Sequence, residues 1–408
     1  MQRALTLITK VRTDKADALK ATLERIGGDI NGDHEDEAYR NDLINFYDIS
    51  TVHFCRFLLL PDEDTGNFNY LVFTSNFDGS LKDHLNEMID KAGDAVEAIW
   101  GCCEGYPHGL REAQLPQFKV AFREYVNRHS HDFGAFYVGY RGRTSVQLRR
   151  NAKIRASFEN LLNKTDTTKP LPSKLEKMVT GFTPAKGDYT RPRGRIVKQS
   201  QWIMFFAELI LGLFVIFILK PIRNFLTDKN TELNLNLSDR FVQPGITEIE
   251  DAVTQNQITV ISKIRPGFWV SVKLKAVLLG IHLFAKHIDN KGSLGGIATI
   301  HFARWAIIDN GRYLFFTSNY DGSWASYIGD FVDKGAAGMD LIWTSAPNYP
   351  EQGSIDIAAF KDIIRRNQVR TQVFYSAYPN STVKNILTDE EVTQMVDHNN
   401  AHSLLGEY

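Results

Sequence analysis

Near the start of the chain Leu5, Leu7 and Val11 are set among polar neighbours in an apolar–polar alternation, and this period of two predicts a strand with one buried face. The period then changes. After Asp14, residues Ala18, Leu19, Leu23 and Ile26 recur at helical spacing, and Gly27-Gly28 offers a stop. A polar interval, INGDHEDEAYRND, follows. Val52, Phe54 and Phe57 mark a second strand, LPDEDTGNFN a turn, and YLVFTS a third strand. Ser80 is placed to cap a helix carrying Leu81, Leu85, Met88 and Ile89, with Asp83 completing a capping box. The predicted order is β-α-β-β-α.

That pattern returns. TVHFCRFLLL, NYLVFTSNFDGS and AIWGCCEGYP, between Thr51 and Pro107, recur as TIHFARWAII, RYLFFTSNYDGS and LIWTSAPNYP between Thr299 and Pro350. Three echoes in one order indicate duplication of a folded unit. QITVISKIR is the second opening strand, with Lys263 and Arg265 matching Lys10 and Arg12; residues 268–288 take the first helix and Asn310-Gly311 the hairpin turn. Residues 122–140 also echo 360–378, aligning Phe136 with Phe374 and Tyr140 with Tyr378. Each repeat is therefore expected to add a helix, its own final strand, and a last helix starting near Ser145 or Thr382. The expected fold class is α+β: tandem duplicated ferredoxin-like units forming a pseudo-dimeric α/β barrel, plus a central membrane-associated helix.

The middle of the chain breaks the pattern. Residues 165–198 are rich in Pro, Gly, Lys and Arg and read as a linker. Trp202 to Leu219 is an apolar run in which only Glu208 is charged, with basic residues on both flanks. The helix at 268–288 is far more apolar than its counterpart in the first repeat; Trp269, Val272, Ala276, Leu279, Leu283 and Phe284 share a face, while Lys273 and Lys275 can snorkel. A monotopic arrangement, embedded from one side, accommodates both segments and still lets the two lobes pack together. The resulting domains are 1–164 (first lobe), 165–198 (linker), 199–226 (membrane-associated helix), 227–256 (connector) and 257–408 (second lobe).

Composition narrows the partners. A net charge of -1 over 408 residues gives no overall bias toward nucleic acid. Cys55, Cys102 and Cys103 form no disulfide framework and favour a reducing compartment, so the cytoplasmic side of a membrane is expected. No P-loop, Rossmann glycine signature, GxSxG or HExxH occurs. A homo-oligomer is left open.

The repeated polar residues are the candidate chemistry. His53 and Arg56 match His301 and Arg304. Alternation places His53 with Cys55 on one strand face and Phe54 with Arg56 on the other. One reading makes the histidines acid–base groups or haem ligands and the arginines anion binders; the other makes them structural. Asp78 and Asp321 sit in TSNFDGS and TSNYDGS, where Asn and Asp organise a turn, Gly takes positive φ and Ser caps a helix. The competing reading places the aspartates at a pocket rim as proton-transfer groups, with Asn76 and Asn319 hydrogen-bonding a ligand. His129, His131 and Asp132 resemble metal ligands only on paper, and Trp100, Trp343, Tyr106-Pro107 and Tyr349-Pro350 read as core anchors and rigid turns.

The duplicated plan resembles the dimeric α/β-barrel group of ferredoxin-like proteins, which includes dye-decolourising haem peroxidases. Those peroxidases carry GxxDG, and SNFDG at 75–79 and SNYDG at 318–322 are similar, with Ser in place of the first Gly. The resemblance implies a haem cofactor, an aspartate acting beside it with an arginine, and a proximal histidine. The expected function is then a membrane-associated oxidoreductase acting on a hydrophobic or lipid-derived substrate. A second reading is a non-catalytic membrane-bound lipid-binding or scaffold protein; a third is a cofactor-free monooxygenase or isomerase.

Overall fold

The computed structural model describes residues 1–30, 42–132, 134–164, 199–215, 217, 233–237, 253–288 and 292–398. The linker 165–198, the polar interval at 31–41 and the end of the 202–219 run lie outside them. In the first half the strands are β1 (Gln2–Lys10), β2 (Val52–Pro61), β3 (Phe68–Asp78) and β4 (Ala135–Val138). Its helices are α1 (Ala16–Ile30), α2 (Leu81–Trp100), α3 (Leu110–Ala113), α4 (Leu115–His129) and α5 (Ser145–Lys164). The central helix is α6 (Gln199–Phe214). The second half supplies β5 (Gln255–Lys263), α7 (Phe268–His287), β6 (Ile300–Ile308), β7 (Tyr313–Asp321), α8 (Trp324–Trp343), α9 (Ile357–Arg366), β8 (Val373–Ser376) and α10 (Val383–His398).

These strands make an α+β fold with two antiparallel four-stranded sheets, ordered β1-β3-β2-β8 and β4-β6-β7-β5. The fourth strand of each sheet comes from the other half of the chain. This corrects the expectation that each repeat keeps its own final strand. β8 pairs Tyr375 with Cys55, and β4 pairs Tyr137 with Ala303. On its way to the far sheet each crossing segment also touches the edge of the sheet it leaves. The His131 amide donates to the Thr6 carbonyl at 2.8 Å, and the Val369 amide to that of Thr259 at 2.9 Å. Exchange also explains why Gly27-Gly28 does not end α1: the helix continues to Ile30, and a Cβ on Gly27 would collide with the Gln372 carbonyl leading into β8.

The alternation in the strands divides the core. One face of the first sheet packs Leu5, Leu7, Phe57, Leu59, Leu71 and Phe73 under α1 and α2, with Trp100 buried among them. The other face turns to the second sheet. There Ile8, Leu58, Leu60, Val72, Ile261, Ala306, Ile308 and Phe315 form a shared apolar layer, closed by Leu233, Leu235 and Leu237 of the connector. The connector's LNLNL alternation at 233–237 is the period of a chain with one buried side.

Helices α5 and α10 meet through Ile154, Phe158, Val392 and Val396. Beside this cluster burial raises the Asp389 carboxyl to about 6, although Arg155 lies 2.6 Å away. The contact is out of line, and neither atom completes a hydrogen bond in it. A carboxyl raised in the folded state contributes stability below its unfolded value that is lost as pH rises through the folded one. Asp389→Asn is therefore expected to flatten the fall in stability between the ordinary 3.8 and about 6, read from urea midpoints across that range.

Candidate functional site

The repeated histidines sit at bulges. Val52 pairs with Phe77 and Phe54 with Asn76, so His53 is an extra residue on β2; Ile300 pairs with Tyr320 and Phe302 with Asn319, leaving His301 extra on β6. A bulge locally breaks the period of two and re-aims a side chain. The assignment of His53 to the Cys55 face is therefore overturned. Cys55 packs in the first sheet's helix-side core, whereas the His53 ring meets Phe302 at 5.3 Å and Tyr378 at 5.8 Å.

Around the bulges six side chains form one line between the halves. His53 Nδ1 lies 2.8 Å from the Tyr378 hydroxyl, that hydroxyl lies 2.7 Å from the Tyr140 hydroxyl, and Tyr140 lies 3.0 Å from His301 Nδ1. At the ends, His301 Nε2 lies 2.7 Å from Asp321 Oδ1 and His53 Nε2 lies 3.0 Å from Asp78 Oδ2. The second of these is poorly aligned: it is an electrostatic pairing without full hydrogen-bond geometry. Both imidazoles are fully buried. Burial, the largest cause, pushes both tyrosine hydroxyls well above their ordinary pKa, so neither ionises near neutral pH.

Each aspartate does a second job. The Ser145 amide donates to Asp78 Oδ2 and the Val383 amide to Asp321 Oδ2, both at 2.8 Å. These are the first residues of α5 and α10, the helices that follow the exchanged strands, and a carboxylate there satisfies otherwise orphaned amides. Gly79 and Gly322 take φ of 82° and 78°, and Ser80 and Ser323 cap α2 and α8. The DGS triplet thus caps two helices from one turn.

The arginines cross between the sheets. Arg56 donates to the Ile258 carbonyl at 2.8 Å, to Gln257 Oε1 and Thr259 Oγ1 at 3.0 Å, to the Ser318 carbonyl at 3.2 Å, and to Asn319 Oδ1. Arg304 reaches Thr6 Oγ1 and Asn76 Oδ1 at 3.1 Å, Thr317 Oγ1 at 3.2 Å and the Leu5 carbonyl. Neither guanidinium has a carboxylate among these partners. Burial pushes both down, to about 9, and both remain cations at neutral pH. One of the two sequence readings has Asn76 and Asn319 hydrogen-bonding a ligand; in the structure their Oδ1 atoms accept from the arginine of the opposite sheet.

A haem does not fit this donor set. A proximal ligand needs an imidazole nitrogen open to iron, and all four nitrogens of His53 and His301 already face a tyrosine or an aspartate. The other sequence candidates lie apart. His129 Nδ1 bonds the Tyr125 carbonyl at 2.8 Å, burial lowers His131 to about 4, and no cluster of metal-ligating side chains occurs among the described residues. Burial raises the Cys103 thiol to about 12, away from reactive thiolate chemistry. Trp100 and Trp343 anchor the two cores, and Tyr106 and Tyr349 tie back to Glu97 and Asp340 on α2 and α8.

Comparison with protein-family models, curated proteins and solved structures gives no match for this chain. Tyr140 and Tyr378 were aligned by the 122–140 and 360–378 echo, but sequence reasoning assigned them no chemical role. It also passed over Gln2 and Gln255. Each carboxamide donates to the carbonyl of one of these tyrosines, Gln2 to Tyr140 at 3.1 Å and Gln255 to Tyr378 at 3.0 Å. Their matched place at the start of β1 and β5 was the available signal.

Proposed function

We propose that this chain is a non-catalytic protein of the membrane surface, a docking or scaffold module built as a pseudo-dimeric barrel of ferredoxin-like units. The carrying observation is the outer face of α6 and α7. The two helices lie antiparallel: Gln201 donates to the His287 carbonyl at 2.9 Å, Lys286 reaches Glu208 at 2.7 Å, and Gly212 lies against Leu279. Glu208, the sole charge of the central run, is thus matched inside the helix pair. Leu274, Leu278, Leu283 and Ala285 turn α7 onto the protein. Outward stand Ile210 (70% exposed), Phe268 (73%) and Trp269 (77%), with Trp202, Ile203, Phe206 and Phe214 beside them. An apolar surface of this kind on a folded chain marks a partner, and a bilayer interface suits paired helices with lysines at hand to snorkel.

Packing favours lying on the membrane. α7 is the one described helix long and apolar enough to cross, but it is also the helix that covers β4. The barrel reading is supported by the two crossing segments, which bridge β1 toward β6 and β5 toward β2. The enzymatic reading needs a carboxylate, imidazole or guanidinium turned to a substrate, and the repeated histidines, arginines and aspartates are instead engaged by tyrosine, amide and hydroxyl side chains, by one another or by the backbone.

Of the six tryptophans, Trp100, Trp305, Trp324 and Trp343 are buried, leaving Trp202 and Trp269 to report on the outer face. Vesicles carrying brominated acyl chains are expected to quench the protein's fluorescence, and the Trp202→Phe/Trp269→Phe double variant to lose that quenching. A chain that neither sediments with the vesicles nor is quenched by them would overturn the membrane reading.

A further inference from the structure

The line from Asp78 to Asp321 has an odd number of links. Its five contacts are Asp78–His53, His53–Tyr378, Tyr378–Tyr140, Tyr140–His301 and His301–Asp321. Each needs one hydrogen between its two heavy atoms; without it, lone pairs face each other at 2.7 to 3.0 Å. The off-line His53–Asp78 contact is no exception, because a bare nitrogen there would confront a carboxylate oxygen.

Counting hydrogens settles what the line must hold. With both aspartates ionised and both imidazoles neutral, the two Nε2 hydrogens serve the aspartates, and the two hydroxyls donate to the two Nδ1 atoms. Four hydrogens then fill four contacts, and the Tyr140–Tyr378 contact is empty. Protonating both imidazoles fails in the opposite way. Both Nδ1 atoms then donate inward, one hydroxyl serves the central contact, and the other has no acceptor in the line. Five hydrogens fill five contacts. With both aspartates ionised they do so in two mirror-related ways, with the imidazolium at His53 or at His301 and the central hydroxyl bond reversed.

We propose that the folded chain holds one proton shared between His53 and His301, and that this proton makes the Tyr140–Tyr378 contact across the seam between the halves. The surroundings suit a single proton. Asp78 and Asp321 face the imidazoles from β3 and β7, while Arg56 and Arg304 stand on the same strands as the histidines. The charge of Arg149 on α5 is felt at Tyr378, Tyr137 and Tyr375 lie beside the tyrosine pair, and His84, with Glu87, feels Asp78 from α2. Tyr140 follows β4 and Tyr378 follows β8, so the proton ties together the segments leaving the two exchanged strands. Removing it takes the hydrogen out of that tie. The device responds to pH while its titrating groups stay buried.

The test is the protonation of the ring nitrogens in full-length protein labelled with ¹⁵N-histidine. At neutral pH three of the four nitrogens of His53 and His301 are expected to carry hydrogen, with the Nδ1 signals averaged between the two rings. Tyr140→Phe removes the central contact and the need for the extra proton, so that variant is expected to show two. Should the variant not fold, titration of the wild type decides. As pH rises from neutral, both rings change together in one step that releases a single proton. Two neutral imidazoles in the wild type at neutral pH, an unchanged count in folded Tyr140→Phe, or independent titration of the rings would each overturn the proposal.

Discussion

Arg56→Met is expected to lower the free energy of unfolding by about 4 kcal/mol, a large loss for one surface-remote side chain. The change orphans two main-chain carbonyls and three side-chain oxygens that Arg56 serves across the sheets. Buried acceptors left unpaired cost about 1–3 kcal/mol each, which outweighs the relief of no longer burying a charge. That relief is real, since burial is what depresses the group, and the two guanidinium groups also repel one another. Each single replacement removes the repulsion, so the Arg56→Met/Arg304→Met pair is expected to cost more than the sum of the singles. Urea denaturation supplies all three values, with the exposed Arg3→Met as reference. An Arg56→Met effect within about 0.5 kcal/mol of that reference would mean the crossed arginines do not hold the sheets together.

Much of this interior was legible in the chain and some was not. The β-α-β-β-α order followed from periodicity, and the DGS turn from residue chemistry, because both are local. The strand exchange is not local: AFYV and VFYS carry the same pattern whichever sheet receives them, so alternation could not say which edge each one joins. The histidine faces were misread for a related reason. A bulge adds one residue to a strand without changing its composition, and counting by twos then fails at that residue. Pairing across the halves was hidden as well. Arg56 meets Asn319, and Arg304 meets Asn76, only because the sheets face each other. Matching residues in two similar halves invite assignment to matching sites within each half, whereas here they complete one another between halves. The aspartates show the same economy, since each caps a helix that follows a strand given away to the opposite sheet.

Replacing Phe268 and Trp269 together with serine is expected to weaken vesicle binding by about 100-fold or more and leave folding stability unchanged. Both side chains are about three-quarters exposed, so the folded protein loses little contact with them. A bilayer would cover both. Burying one large apolar side chain contributes about 1.5–3 kcal/mol, and each 1.4 kcal/mol is about tenfold in affinity, so two such losses span about two to four orders of magnitude. Leu278→Ser serves as the contrast. That side chain is fully buried against the protein, and its replacement is expected to cost stability on the scale of about 2–5 kcal/mol. The first half argues that the exposed rings are not needed by the fold: α1 occupies the matching position with Asp17 in its first turn and Lys20, Glu24 and Arg25 along its length. Two helices in equivalent places, one polar and one apolar on the outside, differ in what they meet beyond the protein. If the serine pair unfolds the chain while vesicle binding of the folded fraction persists, the rings serve the fold and the outer face of α7 is not what meets the bilayer.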